Sequence, residues 1–252
     1  MQSKNLLPIA IKIGSLMLEF GAEIYRVEES IVRICKAYGA VSTEVFAIPS
    51  SIIVTISMED EDSYTLSKHI FSKETDLDKV DKLNDLSRYI CNNTPDLKTV
   101  SEMIKIILTR KKYNRLSITI SYAVAPAVFC LFFGGNLKDA AFSMICGVIV
   151  KLFYNNLTRL RANTIFINII CSSVGSLFAI LFVKFGFADH YDKIIIGTIM
   201  LLVPGLILTT SMRDFMMGDL IAGMLRLIEA LLVATGIAIG VALVLTLFGI
   251  TG

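Results

Sequence analysis

Apolar positions recur along this chain first at helical spacing, then alternately, then in long unbroken runs. Ile9, Ile13, Leu16 and Phe20 share one helical face, and Pro8 suits the first turn of that helix. Gly21 separates it from a second helix, about 22–38, which Gly39 closes as a C-cap. On this helix Ile24, Val27, Ile31, Ile34 and Cys35 form an apolar stripe, while Glu23, Arg26, Glu28, Glu29 and Arg33 point elsewhere. Glu29 and Arg33 stand at i,i+4. Residues 45–48 and 52–57 are β-branched and alternate across Pro49-Ser50, and 64–71 alternates again after an acidic turn at 59–62. Two amphipathic helices follow, about 77–91 and 97–109, divided by 92–95. Helices on a small antiparallel sheet predict an α+β domain over 1–112, long enough for a modest core of its own.

Beyond it the periodicity gives way to runs near the ~20 apolar residues that span a ~30 Å hydrocarbon layer. Five are read, at about 116–134, 140–157, 164–187, 194–211 and 220–250. The fifth is over-long, so it tilts, continues past the bilayer, or breaks near Arg226. The predicted fold is an α+β N-terminal cytoplasmic domain followed by an all-α membrane bundle of about five transmembrane helices over 113–252.

Charge sharpens that division. Residues 1–115 hold 16 Lys+Arg and 16 Asp+Glu, and residues 116–252 hold the remaining 8 and 6. The whole is 54% apolar and 18% charged, against about 45–50% and 25% in ordinary soluble domains. A net charge of +2, evenly mixed, gives no footprint for nucleic acid. Lys and Arg in short flanking loops set orientation. Arg110, Lys111, Lys112 and Arg115 precede the first run, Arg159 and Arg161 lie between the second and third, and Arg213 between the fourth and fifth. The opposite loops carry Lys138, Lys184 and Lys193, offset by Asp139, Asp189 and Asp192. This predicts a multi-pass protein of the plasma membrane with the N-terminus cytoplasmic and Gly252 outside. The apolar stretch 6–18 is not a signal peptide, because Lys12 interrupts it and no small-residue cleavage site follows.

Candidate chemistry is sparse in the first domain and concentrated in the second. The five Cys stand singly, and His69 and His190 lie far apart, so neither a metal nor any cofactor is expected. Ser50-Ser51 has no His nearby and no GxSxG elbow, and no Walker motif is present, so no catalytic residue is assigned. Glu23, Arg26 and Glu28, just after the turn at Gly21, make either a charged site or a solvated helix face. In the membrane part, Pro204 and Gly205 break the fourth run and free backbone groups that protein, water or a ligand must satisfy. Broken helices of this kind often form transporter substrate sites. Arg213 and Asp214 follow, then Asp219, Gly223 and Arg226 at i, i+4 and i+7, with Glu229 one turn beyond. One reading pairs Arg226 with Glu229 and leaves Arg213 and Asp214 marking the interface. The other makes these residues a polar substrate pathway, with Arg226 suited to a carboxylate-bearing solute and Asp219 or Glu229 carrying a proton. Gly236 and Gly240 form a GxxxG step for close helix approach, while Pro126, Lys151 and Asn168 are read as structural.

The run Gly21-Ala-Glu-Ile-Tyr-Arg-Val-Glu-Glu, then Ala37-Tyr-Gly and Glu44-Val-Phe-Ala-Ile-Pro, resembles the start of the threonine/serine exporter family. Pro204-Gly-Leu, Arg213-Asp, Gly218-Asp, Gly223 and Arg226-Leu-Ile-Glu-Ala resemble its membrane signature, so the likeness covers nearly the whole chain in order. The resemblance implies a cytoplasmic domain ahead of a first bundle of spans, and export of small amino acids or, in split members, of succinate. Longer members continue into a second membrane half, whereas this chain stops at Gly252. It resembles the two-gene type, which implies a hetero-oligomer in the lipid bilayer with a separate small membrane protein supplying the second half. Five spans that start inside finish outside, so a following half of five would be inverted. The expected function is a secondary transporter subunit for a small carboxylate-bearing solute. A membrane-anchored enzyme or a sensor working through the cytoplasmic domain is the alternative.

Overall fold

The structure is a computed structural model and describes residues 2–59, 63–71, 74–110, 113–160 and 162–250. Asp60, Glu61 and Asp62 of the acidic turn, Lys111, Lys112 and Arg161 of the orientation argument, and Gly252 lie outside the described residues, as does the side chain of Arg115. The described residues form ten helices and one three-stranded sheet, divided into two compact units.

The first unit comprises Met1–Lys111 together with Leu208–Leu227. It opens with α1 (Gln2–Glu19) and α2 (Ile24–Ala37), then β1 (Ser42–Ile48), β2 (Ser51–Ser57) and β3 (Ser63–His69), then α3 (Leu77–Asn93) and α4 (Leu97–Leu108). The sheet is antiparallel with β2 central; Ile48 pairs with Ser51, so Pro49-Ser50 is a two-residue turn. Alternation along β2 turns Ile52, Val54 and Ile56 inward, where all three are fully buried. They join Ile13 and Met17 of α1, Ile24 and Ile31 of α2, Leu83 and Ile90 of α3 and Ile104 of α4 in one core. The apolar stripe expected on α2 is buried in full. Pro8 does not start α1: the helix begins at Gln2 and carries Pro8 inside it. A proline this close to a helix start removes one amide bond of the first turns and leaves the rest of the ladder intact.

The second unit comprises Lys112–Ile207 and Ile228–Gly252. Its helices are α5 (Arg115–Phe132), α6 (Leu137–Arg159), α7 (Thr164–Lys184) and α8 (Tyr191–Ile199); α9 (Gly205–Met217) and α10 (Leu220–Leu247) are shared with the first unit. By length and apolarity α6, α7 and α10 can each cross a membrane, and the apolar stretch Leu116–Phe132 of α5 is shorter. The fourth run is two short helices, interrupted where Val203 precedes Pro204 and is driven out of helical conformation. Despite its length α10 is unbroken at Arg226.

Within this unit the helices meet through glycine. A Cβ at Gly147 on α6 would lie 2.0 Å from the Tyr122 carbonyl oxygen of α5, and one at Gly197 on α8 2.5 Å from that of Pro126. The GxxxG step of α10 seats against α7: a Cβ at Gly240 would be 2.0 Å from Ser172 Oγ, and Ser173 Oγ donates to the Gly240 carbonyl at 3.0 Å. Lys151 Nζ lies 4.3 Å from the Tyr122 ring centroid, and Asn168 Nδ2 donates to the Thr164 carbonyl at 2.9 Å. His190 is paired, its Nδ1 standing 2.8 Å from Asp139, whose carboxylate also accepts the Asp189, His190 and Asn136 amides.

Candidate functional site

Residues 208–227 belong to the first unit because they form a helical hairpin with its own fastening. Gly218, at φ +89°, takes the left-handed conformation that ends α9, and the Asp219 amide donates back to the Asp214 carbonyl at 2.9 Å. Ser211 Oγ then donates across to the Gly223 carbonyl at 2.8 Å. A Cβ at Gly223 would meet the Phe215 ring at 2.7 Å, so glycine sets how closely α9 and α10 approach. Ala222 enters the core of the first unit.

The hairpin meets the turn between α1 and α2. Gly21 sits at φ +97°, a conformation that costs glycine little, and reverses the chain. The reversal aims the Ala22 carbonyl and the Glu23 side chain at the hairpin. Arg226 Nη2 donates to the Ala22 carbonyl at 2.8 Å, and its Nη1 stands 3.3 Å from Asp214 Oδ2. Arg213 Nη1 donates to Glu23 Oε1, and Glu23 Oε2 lies 3.4 Å from Arg26 Nε. Glu28, one turn along α2, accepts the Ala47 amide at 2.9 Å. Burial pushes the Glu28 carboxyl above its ordinary value, the Ala47 hydrogen bond opposes this, and the nearby Asp219 charge adds to the rise.

Exposure separates the two arginines. The Arg226 side chain is only 9% exposed and Asp214 is fully buried, whereas Arg213 is 50% exposed. Neither Asp214 oxygen makes a well-formed hydrogen bond among the described residues; the Arg226 charge is the chief compensation for its own, with the Ile24 amide close by. A buried pair of this kind holds only while both members are present. Arg226 is thus held as a buried anchor, and Arg213 is the guanidinium that solvent can reach.

Two sets of residues that the sequence keeps almost 200 positions apart therefore form one cluster: Glu23, Arg26 and Glu28, after Gly21, with Arg213, Asp214, Asp219 and Arg226. Glu23 is not on a solvated helix face; it is buried and ion-paired. Pro204, Gly205 and Glu229 belong to the second unit. Sequence reasoning missed the Ala22 carbonyl, a backbone group that no side-chain pattern marks. It also missed Ser143 on α6 and Ser176 on α7, whose hydroxyls are buried in the second unit without a hydrogen-bond partner among the described residues. Their spacing with Cys146, Cys171 and Gly175 on α6 and α7 was the available signal. Among the described residues no group of three or more His, Cys, Asp or Glu could hold a metal ion.

Residues 8–248 match the family described as "Putative threonine/serine exporter". The chain belongs to the threonine/serine exporter family. This is a family of membrane transporters rather than enzymes, and the apolar helices agree with a membrane protein. The chain is 23% identical to the "Probable succinate transporter subunit YjjP" of Klebsiella aerogenes over 245 residues, 97% of this chain and 94% of that one. It is 21% identical to the "Probable threonine/serine exporter" of Mycobacterium tuberculosis and 22% identical to the "Threonine/serine exporter" of Corynebacterium glutamicum. Those matches take in 100% and 96% of this chain but 47% and 51% of the relatives, so the chain spans about half the length of these two exporters. No solved structure matches.

Proposed function

We propose that this chain is one half of a secondary exporter for small carboxylate-bearing solutes, threonine and serine or a dicarboxylate such as succinate. A separate small membrane protein supplies the other half. The observation that carries the reading is the cluster that fastens the α9–α10 hairpin to the first unit and leaves Arg213 half exposed beside Glu23. A guanidinium whose carboxylate partner a solute's carboxylate can replace is a reversible acceptor for such a solute. The relative whose name calls it a succinate transporter subunit supports the partner.

In this reading the first 112 residues are a cytoplasmic domain, as the basic loops favour, and the C-terminus lies outside. The eight residues of α10 before Ile228 belong to the first unit, which leaves 20 of its 28 residues, 28 less 8, for the crossing. Twenty residues rise about 30 Å, the thickness of the hydrocarbon layer. Arg226 then stands at the cytoplasmic edge as an anchor, and Arg213 is the group offered to the solute.

The test is efflux of preloaded, labelled threonine, serine and succinate from cells carrying the chain alone, the chain with its membrane partner, or that pair with Arg213→Gln. Efflux is expected only with the partner and is expected to fall at least tenfold with Arg213→Gln while membrane insertion is unchanged. If no solute moves although both proteins are inserted, the exporter reading fails. Robust efflux by the chain alone overturns the partner.

A further inference from the structure

We propose that the groove between α2 and α3 is a binding site for a compact dianion, a small molecule carrying two carboxylates or one phosphate. The groove encloses about 400 Å3, within the range of small-molecule sites, and is lined by Arg26, Arg33, Arg88, Glu29, Ser30 and Ser87. Three guanidinium charges less one carboxylate leave +2, which a dianion neutralises.

The partners already present do not use up that charge. Glu29 Oε1 accepts from Arg33 Nη2 at 2.6 Å, so the one carboxylate is committed to one arginine. Arg88 is exposed and has no ion-pair partner among the described residues. Arg26 Nε donates to the Tyr25 hydroxyl at 3.2 Å and lies 3.4 Å from Glu23, so its only carboxylate partner is a loose one among the described residues. Ser30 and Ser87 are buried and supply a floor of hydroxyl groups. Guanidinium forks match the paired oxygens of carboxylates and phosphates, and no other side chain does so with fixed charge.

The site also has a route to the hairpin. An anion seated on Arg26 competes with Glu23 for the same guanidinium, and Glu23 is the partner of Arg213 on α9. Occupancy of the groove is thereby read by the contact that joins the hairpin to the first unit. The binding claim stands apart from the exporter reading and is tested without any transport.

Full-length protein purified in detergent is titrated calorimetrically with succinate, with inorganic phosphate, and with threonine, which has no net charge. At least one of the two dianions is expected to bind with Kd below about 1 mM, and threonine at least tenfold more weakly. Binding of succinate alone identifies a dicarboxylate site, and binding of phosphate alone a phosphate site. The double variant Arg33→Gln/Arg88→Gln should lose at least tenfold, and both residues are exposed enough for the fold to survive. Glu29→Gln raises the groove to +3 and releases Arg33, so it should tighten binding about threefold or more. The proposal is overturned if neither dianion binds, if threonine binds as well as they do, or if Glu29→Gln fails to tighten binding.

Discussion

The two units of this chain solve the packing problem by different means. The first buries large aliphatic side chains, Ile13, Met17, Ile31, Ile56, Leu83 and Ile104 among them, against one face of a sheet whose other face is exposed. Removing that surface from water is worth about 25 cal/mol per Å2, so bulk and area suffice and close backbone approach is secondary. The second unit presents many large apolar side chains outward, from Phe132 and Leu152 to Leu231 and Leu243, and places Gly147, Gly197, Ser143, Ser176 and Thr198 in its interior beside Val150 and Ile194. Lipid is as apolar as leucine, so burial of leucine gives no driving force there, and contact between backbones takes its place. Charge does not follow that division. It is buried where it can be paired, at Arg226 and Asp214 in the first unit and at Asp139, which stands against His190, in the second.

The largest expected effect breaks that pairing. Asp214→Ala leaves Arg226 buried with only the Ala22 carbonyl, a loss of about 3–5 kcal/mol in unfolding measurements. Replacing both members by Met and Leu should recover much of that stability, because an apolar pair of similar volume needs no compensation. If the single and double variants are equally destabilised, Arg226 is not the anchor described here.

Next comes a comparison of glycines. Gly147→Ala drives a Cβ into the Tyr122 carbonyl, which belongs to the backbone and cannot yield, so a loss of about 3 kcal/mol or more is expected. Gly14→Ala on α1 is nearly as crowded, with 2.5 Å to Ile31, but the atom it meets is the terminal Cδ1 of a flexible side chain. The gain in helix propensity, about 1 kcal/mol, then offsets the repacking and leaves stability close to wild type. Thermal unfolding of the two variants side by side checks both, and equal losses would erase the distinction between the units.

Much of this was legible in the sequence. The periods locate the strands and most helices to within about three residues, and Pro204-Gly205 marks the break between α8 and α9, but α1 begins six residues ahead of Pro8 and α9 runs six residues past the end of the fourth run. β1 starts at Ser42, three residues before its alternation becomes visible, because pairing with Ser57 of β2 extends it. The cluster was only half legible. Spacing along α10 offers Arg226 a neighbour at Glu229 and says nothing of Asp214, which a helical hairpin delivers, or of the Ala22 carbonyl. Likewise the GxxxG step declares that Gly236 and Gly240 need a close neighbour, but its occupant, α7, follows only from the tertiary fold.

A smaller effect concerns the unpaired hydroxyls. Ser176→Ala removes a buried polar group that has nothing to satisfy it, so it should be neutral or stabilising by up to about 1 kcal/mol. If stability rises while efflux falls, the hydroxyl meets the solute. If stability falls, the hydroxyl has a partner in the fold and the view of the second unit's interior must change.

The smallest effect is on pH dependence at Glu28. Its carboxyl is raised above the ordinary value by burial and by Asp219, so the folded state favours the neutral form. The sign follows from proton binding. Between the ordinary and the raised value the folded chain binds more protons than the unfolded one, so stability falls as pH rises through that window and the deficit persists at neutral pH. Glu28→Gln keeps an oxygen to accept the Ala47 amide and removes the charge. It should therefore raise the unfolding midpoint by about 1–2 °C at pH 7 and make no difference well below the ordinary carboxylate value, where Glu28 is neutral as well. A variant less stable than wild type at pH 7 would mean that the ionised carboxylate has a partner stronger than the amide, and that Asp219 is not the charge it feels.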